Sequence, residues 1–166
     1  MIMKATEEVP ACSLALARIA YECGLPEGVL SVVIGDPAAI SERLIKNDII
    51  RGVTFTGSTR IGQMLSAKAV ALGKRPIMEL GGHAPVLLFD DVDIEAKARG
   101  AVHSKYRNSG QICVAPTRFF IQRSIHDAFV EAFTAETAKL RLGCGFDDAT
   151  TMGPLIDSRR VEAMER

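Results

Sequence analysis

Twice in this chain a short run of β-branched and apolar residues ends near a glycine and gives way to helical periodicity, and this alternation restricts the fold more than any other feature. The first run, Val29-Leu30-Ser31-Val32-Val33-Ile34, is bounded by Gly35 and reads as a buried strand, with a short helix over 38–46 after it. The second, from Ile49 to Phe55, stops at Thr56-Gly57-Ser58-Thr59. Beyond it Ile61, Met64, Leu65 and Leu72 recur on one helical face, with Ser58 or Thr59 suited to the N-cap. Strands that alternate with helices predict an α/β fold built on a parallel sheet covered on both faces.

The remaining segments extend the pattern. Cys12, Leu16, Ile19, Ala20 and Cys23 predict a helix over 10–23 with those residues facing the core, closed by Gly24. Strands are expected around 76–80 and 85–89, then a helix over 93–103, a loop through Cys113 and a strand over 118–122. Ser124-Ile125-His126-Asp127 reads as a capping box, with Ile125, Phe129, Ala132, Phe133 and Leu140 as the buried side of the helix that it opens. A final helix is expected from 159 onward, and the chain reads as a fragment of a longer one.

Charge and composition narrow the partners. The 166 residues carry 20 Lys+Arg against 20 Asp+Glu, so no summed field draws the chain to nucleic acid or to an anionic membrane. Apolar residues make up 48%, and the longest apolar runs fall far short of the roughly 20 that a membrane span needs. No secretory or transit pattern follows Met1, so the expected compartment is the cytoplasm. Cys12, Cys23, Cys113 and Cys144 form no C-x-x-C pair and have no His at ligand spacing, which argues against zinc.

Three constellations could carry chemistry. Thr56-Gly57-Ser58 sits at a strand-to-helix turn, where glycine permits close backbone approach and the first helical N–H groups are unpaired donors suited to a phosphate. Many such turns hold no ligand. Glu79 precedes Gly81-Gly82 and is either a general base or a solvated strand-end carboxylate. Cys113 follows the polar loop Arg107-Asn108-Ser109-Gly110-Gln111-Ile112, whereas Cys12 and Cys23 belong to the expected core-facing stripe. A nucleophilic Cys needs a cation, a dipole or a base to favour its thiolate, and Arg107 and Glu79 are candidates for those parts.

Taken in order, Thr56-Gly57-Ser58, Glu79-Leu80-Gly81-Gly82 and Gly110-Gln111-Ile112-Cys113 closely resemble the motifs of the aldehyde dehydrogenase superfamily. The resemblance runs from Lys4-Ala5-Thr6-Glu7 to Met152-Gly153-Pro154-Leu155-Ile156. It implies a Rossmann-like NAD-binding part over 1–80 and the start of a nucleophile-bearing catalytic domain over 81–166. It also implies that Cys113 attacks a small aldehyde to form a thiohemiacetal, that a thioacyl enzyme follows hydride transfer, and that Glu79 activates the hydrolytic water. The Cys113 backbone N–H would supply half of the oxyanion site. Lys4 and Glu7 would hold the adenosine ribose, Thr56, Gly57 and Ser58 the pyrophosphate, and the Leu80 backbone the nicotinamide. A carboxylate at Glu7 repels a 2′-phosphate, which favours NAD over NADP.

Within the family, the stretch from Ser104 to Val114 is most similar to succinate-semialdehyde dehydrogenases, in which the residue matching Arg107 grips the substrate carboxylate. The alternative for Arg107 is a loop-stabilising ion pair. Ala5, His83 and Ala115 depart from the family pattern: His83 reads as structural or as a rim residue, and Ala115 stands where many relatives carry a second Cys. The resemblance further implies a homo-oligomer for a full-length enzyme. Other readings are a dehydrogenase for a different aldehyde, a non-catalytic remnant that only folds or binds nucleotide, and a Cys hydrolase, for which no His has a diagnostic spacing.

Overall fold

The structure, a computed structural model, describes residues 1–165. It divides into two compact units, Met1–Leu80 and the chain from Gly81 onward.

In the first unit β1 (Ile2–Lys4), α1 (Pro10–Glu22), β2 (Ser31–Val33), α2 (Pro37–Lys46), β3 (Gly52–Gly57), α3 (Thr59–Ala71) and β4 (Arg75–Leu80) follow one another. β1 pairs with β2 and β3 with β4, both in parallel. Along β3 and β4 the half-buried Val53 and Phe55 lie opposite Pro76 and Met78, while Thr54 and Thr56 lie opposite Ile77 and Glu79 on the exposed face. Ala17, Leu30, Ile45, Leu65 and Ala69 are buried. Lys74 is 9% exposed, and its ammonium donates to the Asn47 and Ile50 carbonyls, tying the α2–β3 connection to the foot of β4.

The second unit contains β5 (Val86–Leu88), α4 (Ile94–Tyr106), β6 (Phe119–Ile121), α5 (His126–Thr137) and α6 (Ser158–Met164). β5 and β6 are parallel, and α4 packs along α5. Its core joins Leu88, Ala98, Ala101, Ile125 and Phe129, with Phe119 and Phe133 packed against them. Asp93 caps α4 by accepting the Ala96 N–H at 3.1 Å. Asp157 caps α6 by accepting the Arg160 N–H at 3.0 Å, and the hydrogen bond from the Arg159 guanidinium holds its carboxyl below the usual carboxylate range.

The α/β order and the parallel pairing agree with the sequence reading, but several details differ. The strands form three separate two-stranded ladders. β3 starts at Gly52, and Ile49 before it is 83% exposed. On α3 it is Gly62, Leu65 and Ala69 that are buried, while Met64 and Leu72 are exposed. α1 buries Ala17, and the expected core stripe is largely turned outward: Cys12, Leu16, Ile19 and Cys23 are exposed. The small face of α1 fits where the helix packs on β2, and the Tyr21 hydroxyl, donating to the Leu30 carbonyl, fixes that rotation. The capping box is not formed. α5 begins at His126, the N-cap position falls to the apolar Ile125 with no side-chain cap bond, and Ser124 Oγ donates to Asp90 Oδ2 at 3.3 Å.

Candidate functional site

Three of the sequence-predicted groups lie at the carboxyl ends of the parallel strands of the first unit, the edge at which open α/β sheets receive ligands. Lys4 ends β1, and its ammonium donates to the Glu7 carboxylate in the turn that follows. Gly57 ends β3 and Leu80 ends β4, and the two are partners in the ladder. The preceding rung pairs Thr56 with Glu79. The parallel register thus brings the glycine turn and the Glu-Leu pair side by side, although they are separated in sequence by all of α3.

The turn after Gly57 suits an anionic group. Ser58 occupies the N-cap of α3 as expected, but its side chain makes no cap bond, and Thr56, Gly57, Ser58 and Thr59 are all exposed. The opening N–H groups of α3 therefore face outward with the positive end of the helix dipole behind them. Backbone donors of this kind could hold a phosphate, while the Lys4–Glu7 pair belongs to the separate β1–β2 ladder.

The second unit holds Arg107 and Cys113. Arg107 is exposed at the junction of α4 with the loop, and Cys113 is exposed in a turn closed by the Ala115 N–H on the Ile112 carbonyl at 3.0 Å. Between them the backbone takes three successive left-handed residues, Asn108 (φ 51°), Ser109 (φ 56°) and Gly110 (φ 74°). Only glycine adopts that region without cost, so the first two need support from their surroundings.

Side chains supply it. Ser109 Oγ donates to the Gly153 carbonyl at 2.7 Å, and Gln111 Oε1 accepts the Ile156 N–H at 3.1 Å. Asn108 and Gln111 also exchange amide-to-carbonyl bonds of 3.4 and 3.3 Å. On the far side of Cys113, Thr117 N–H and Thr117 Oγ1 both donate to the His83 carbonyl, at 3.0 and 2.9 Å. His83 Nδ1 also lies 2.9 Å from Thr117 Oγ1. The long-range anchors escaped the sequence reading, since their partners at 83 and 153–156 are backbone groups distant in sequence. Cys113 is one of four exposed cysteines, so exposure alone does not single it out.

Among the described residues no three His, Cys, Asp or Glu side chains converge to hold a metal ion, and no helix is long and apolar enough to cross a membrane.

Comparison with known proteins matches residues 1–166 to the aldehyde dehydrogenase family. A glutarate-semialdehyde dehydrogenase of Pseudomonas aeruginosa is 44% identical over 165 residues, which are 99% of this chain and 34% of that protein. An NADP-dependent succinate-semialdehyde dehydrogenase of Escherichia coli is 40% identical, again over 99% of this chain and 34% of its own length. The crystal structure of a succinate-semialdehyde dehydrogenase from Burkholderia pseudomallei superposes with a TM-score of 0.94 at 44% identity, covering 99% of this chain and 34% of that one. The chain thus spans about a third of the length of the relatives that it matches.

Proposed function

We propose that this chain, which belongs to the aldehyde dehydrogenase family, provides the nucleophile, the base and part of the dinucleotide site of an enzyme that oxidises an aldehyde with a terminal carboxylate to the corresponding acid. The observation that carries this reading is the parallel register of β3 and β4, which sets Glu79 and Leu80 beside Thr56 and Gly57.

In this reading the unit up to Leu80 holds the cofactor. Lys4 and Glu7 bind the adenosine ribose, Thr56, Gly57, Ser58 and the first N–H groups of α3 take the pyrophosphate, and the Leu80 backbone meets the nicotinamide. A bound nicotinamide supplies the hydride acceptor. Glu7 favours NAD, since its carboxylate accepts hydrogen bonds from ribose hydroxyls and repels a 2′-phosphate. Some relatives use NADP, as the name of the Escherichia coli protein states, so the preference rests on Glu7 alone.

The chemistry is assigned to the chain's own side chains. Cys113 Sγ, as thiolate, forms a C–S bond to the carbonyl carbon, and its backbone N–H donates to the resulting oxyanion. Loss of hydride from that carbon leaves a thioester. Glu79 then takes a proton from water, the water oxygen bonds to the acyl carbon, and the C–S bond breaks to return the thiolate.

Arg107 grips the distal carboxylate of the substrate, for which a planar guanidinium is suited. Succinate and glutarate semialdehydes, named for the relatives, both carry such a group.

The test is NADH absorbance on mixing the folded chain with NAD and each semialdehyde, beside Cys113→Ala, together with the mass of the peptide that bears Cys113. The expected result is NADH or an acylated Cys113 in the parent and neither in the variant. A folded chain that binds NAD and yields neither product would leave a nucleotide-binding remnant.

A further inference from the structure

The loop before Cys113 is held in a backbone form that its own residues disfavour. Asn108 and Ser109 carry side chains at φ 51° and 56°, ahead of Gly110 at 74°. Consecutive left-handed residues other than glycine are rare and persist only where neighbouring groups impose them. The 153–156 segment supplies those groups. It offers the Gly153 carbonyl to Ser109 Oγ at 2.7 Å, in a part-buried bond, and its Ile156 N–H donates to Gln111 Oε1 at 3.1 Å. The segment is itself tied down, because Arg141 and Thr151 hydrogen-bond across its base and Leu142 bridges to Met152.

We infer that Ser109 and Gln111 are positioning residues, which fix the direction of the Cys113 turn by bonding it to the backbone of 153–156. The inference rests on the reading of Cys113 as nucleophile, but its physical content is the orientation and exposure of one thiol, which can be followed without turnover. Gln111 reaches the 153–156 segment through its side-chain oxygen, while its amide nitrogen donates within the loop to the Asn108 carbonyl at 3.3 Å, so the shape of the side chain is not enough and the acceptor is required. Gln111→Met keeps the length and loses the acceptor, whereas Gln111→Glu keeps an oxygen for the Ile156 N–H.

The experiment is competitive alkylation of the full chain by iodoacetamide, with Cys113 and Cys23 quantified by peptide mass spectrometry in the same sample. Cys23 lies in the other unit and reports general loosening. In Gln111→Met and in Ser109→Ala, the labelling of Cys113 relative to Cys23 should change by about threefold or more, as the exposed thiol is released from its fixed direction by the loss of one hydrogen bond. Amide exchange over 153–156 should rise as well, and Gln111→Glu, which keeps the bond to Ile156 but not the one to Asn108, should lie closer to the parent than Gln111→Met does. Unchanged Cys113 labelling in a folded Gln111→Met chain would overturn the proposal. So would a change shared equally by Cys23, or a Gln111→Glu chain that labels as far from the parent as Gln111→Met does. If Ser109→Ala does not fold, the Met and Glu variants of Gln111 decide the matter. Absence of NADH formation in the parent, with the labelling ratios of the variants shifted as expected, would count against the proposed reaction and leave the positioning intact.

Discussion

Gly62 of α3 lies so close against Leu80 of β4 that a β-carbon built on it would stand 2.2 Å from Leu80 Cδ2. The glycine is buried in the interior of a 13-residue helix, where it costs about 1 kcal/mol in propensity relative to alanine. The close approach of helix to strand accounts for its presence.

Gly62→Ala should therefore gain less than the roughly 1 kcal/mol its better helix propensity offers, because Leu80 must leave its rotamer to admit the methyl group. Leu80→Ala clears the obstruction, so Gly62→Ala should be more favourable in the Leu80→Ala background than in the parent. Urea denaturation of the four chains checks this, and strict additivity would show that the two residues do not meet.

Phe129 is 4% exposed and stacks its ring 6.2 Å from Phe119 and 5.9 Å from Phe133. Phe129→Ala removes the centre of this cluster and should cost about 3–5 kcal/mol, with Phe129→Leu costing clearly less. Denaturation midpoints, with amide exchange in α4 and α5, give the measurement. A loss below about 1 kcal/mol would mean that the second unit is not held by this core.

Glu42 on α2 accepts from Lys46 Nζ at 2.8 Å and from Lys68 Nζ of α3 at 2.6 Å. The hydrogen bonds from Lys46 and then Lys68, with their charges, lower its carboxyl from 4.5 to about 2. A carboxylate whose folded value is depressed contributes its full stabilisation above the unfolded value and loses it as the pH falls toward the folded one. Glu42→Gln should thus lower the melting temperature at pH 6 and converge with the parent between about pH 4.5 and 2. The groups are exposed, so added salt should shrink the difference at pH 6 as well.

Glu7 sits beside Lys4 at the end of β1. If the pair receives the adenosine ribose, Glu7→Gln should bind NADP more tightly than the parent does and gain nothing for NAD. Calorimetric titration with both dinucleotides measures this, and equal affinities in parent and variant would remove Glu7 from the cofactor site.

The succession of strands and helices was legible because glycines punctuate it: the turns at Gly35 and Gly57 part β-branched runs from helical ones. Which face of a helix turns inward was less so. On α1 the stripe of Cys12, Leu16 and Ile19 and the smaller face containing Ala17 both satisfy helical periodicity, and hydrophobicity favours the first. Packing on β2 selects the second, because small residues let the backbones approach. Ser124 shows the same limit at short range: its pattern fits a capping box, but Asp90, contributed from beyond β5, takes its hydroxyl. At the candidate site the residues bearing chemistry could be picked out from their motif, whereas their supports could not. Ser109 and Gln111 reach acceptors and donors 44 and 45 positions away on the main chain, where side-chain identity leaves no trace.

The six rungs joining β3 to β4 also decide which side of the ladder each residue of β4 presents. A slip of one residue would turn Glu79 toward the half-buried face and Met78 outward, so the same apolar alternation that partly buries Val53, Phe55, Pro76 and Met78 keeps the carboxylate in the open. The register is thus held by the strands themselves, and a change of length in the connection between them is expected to be taken up in its turns, leaving Glu79 where it is.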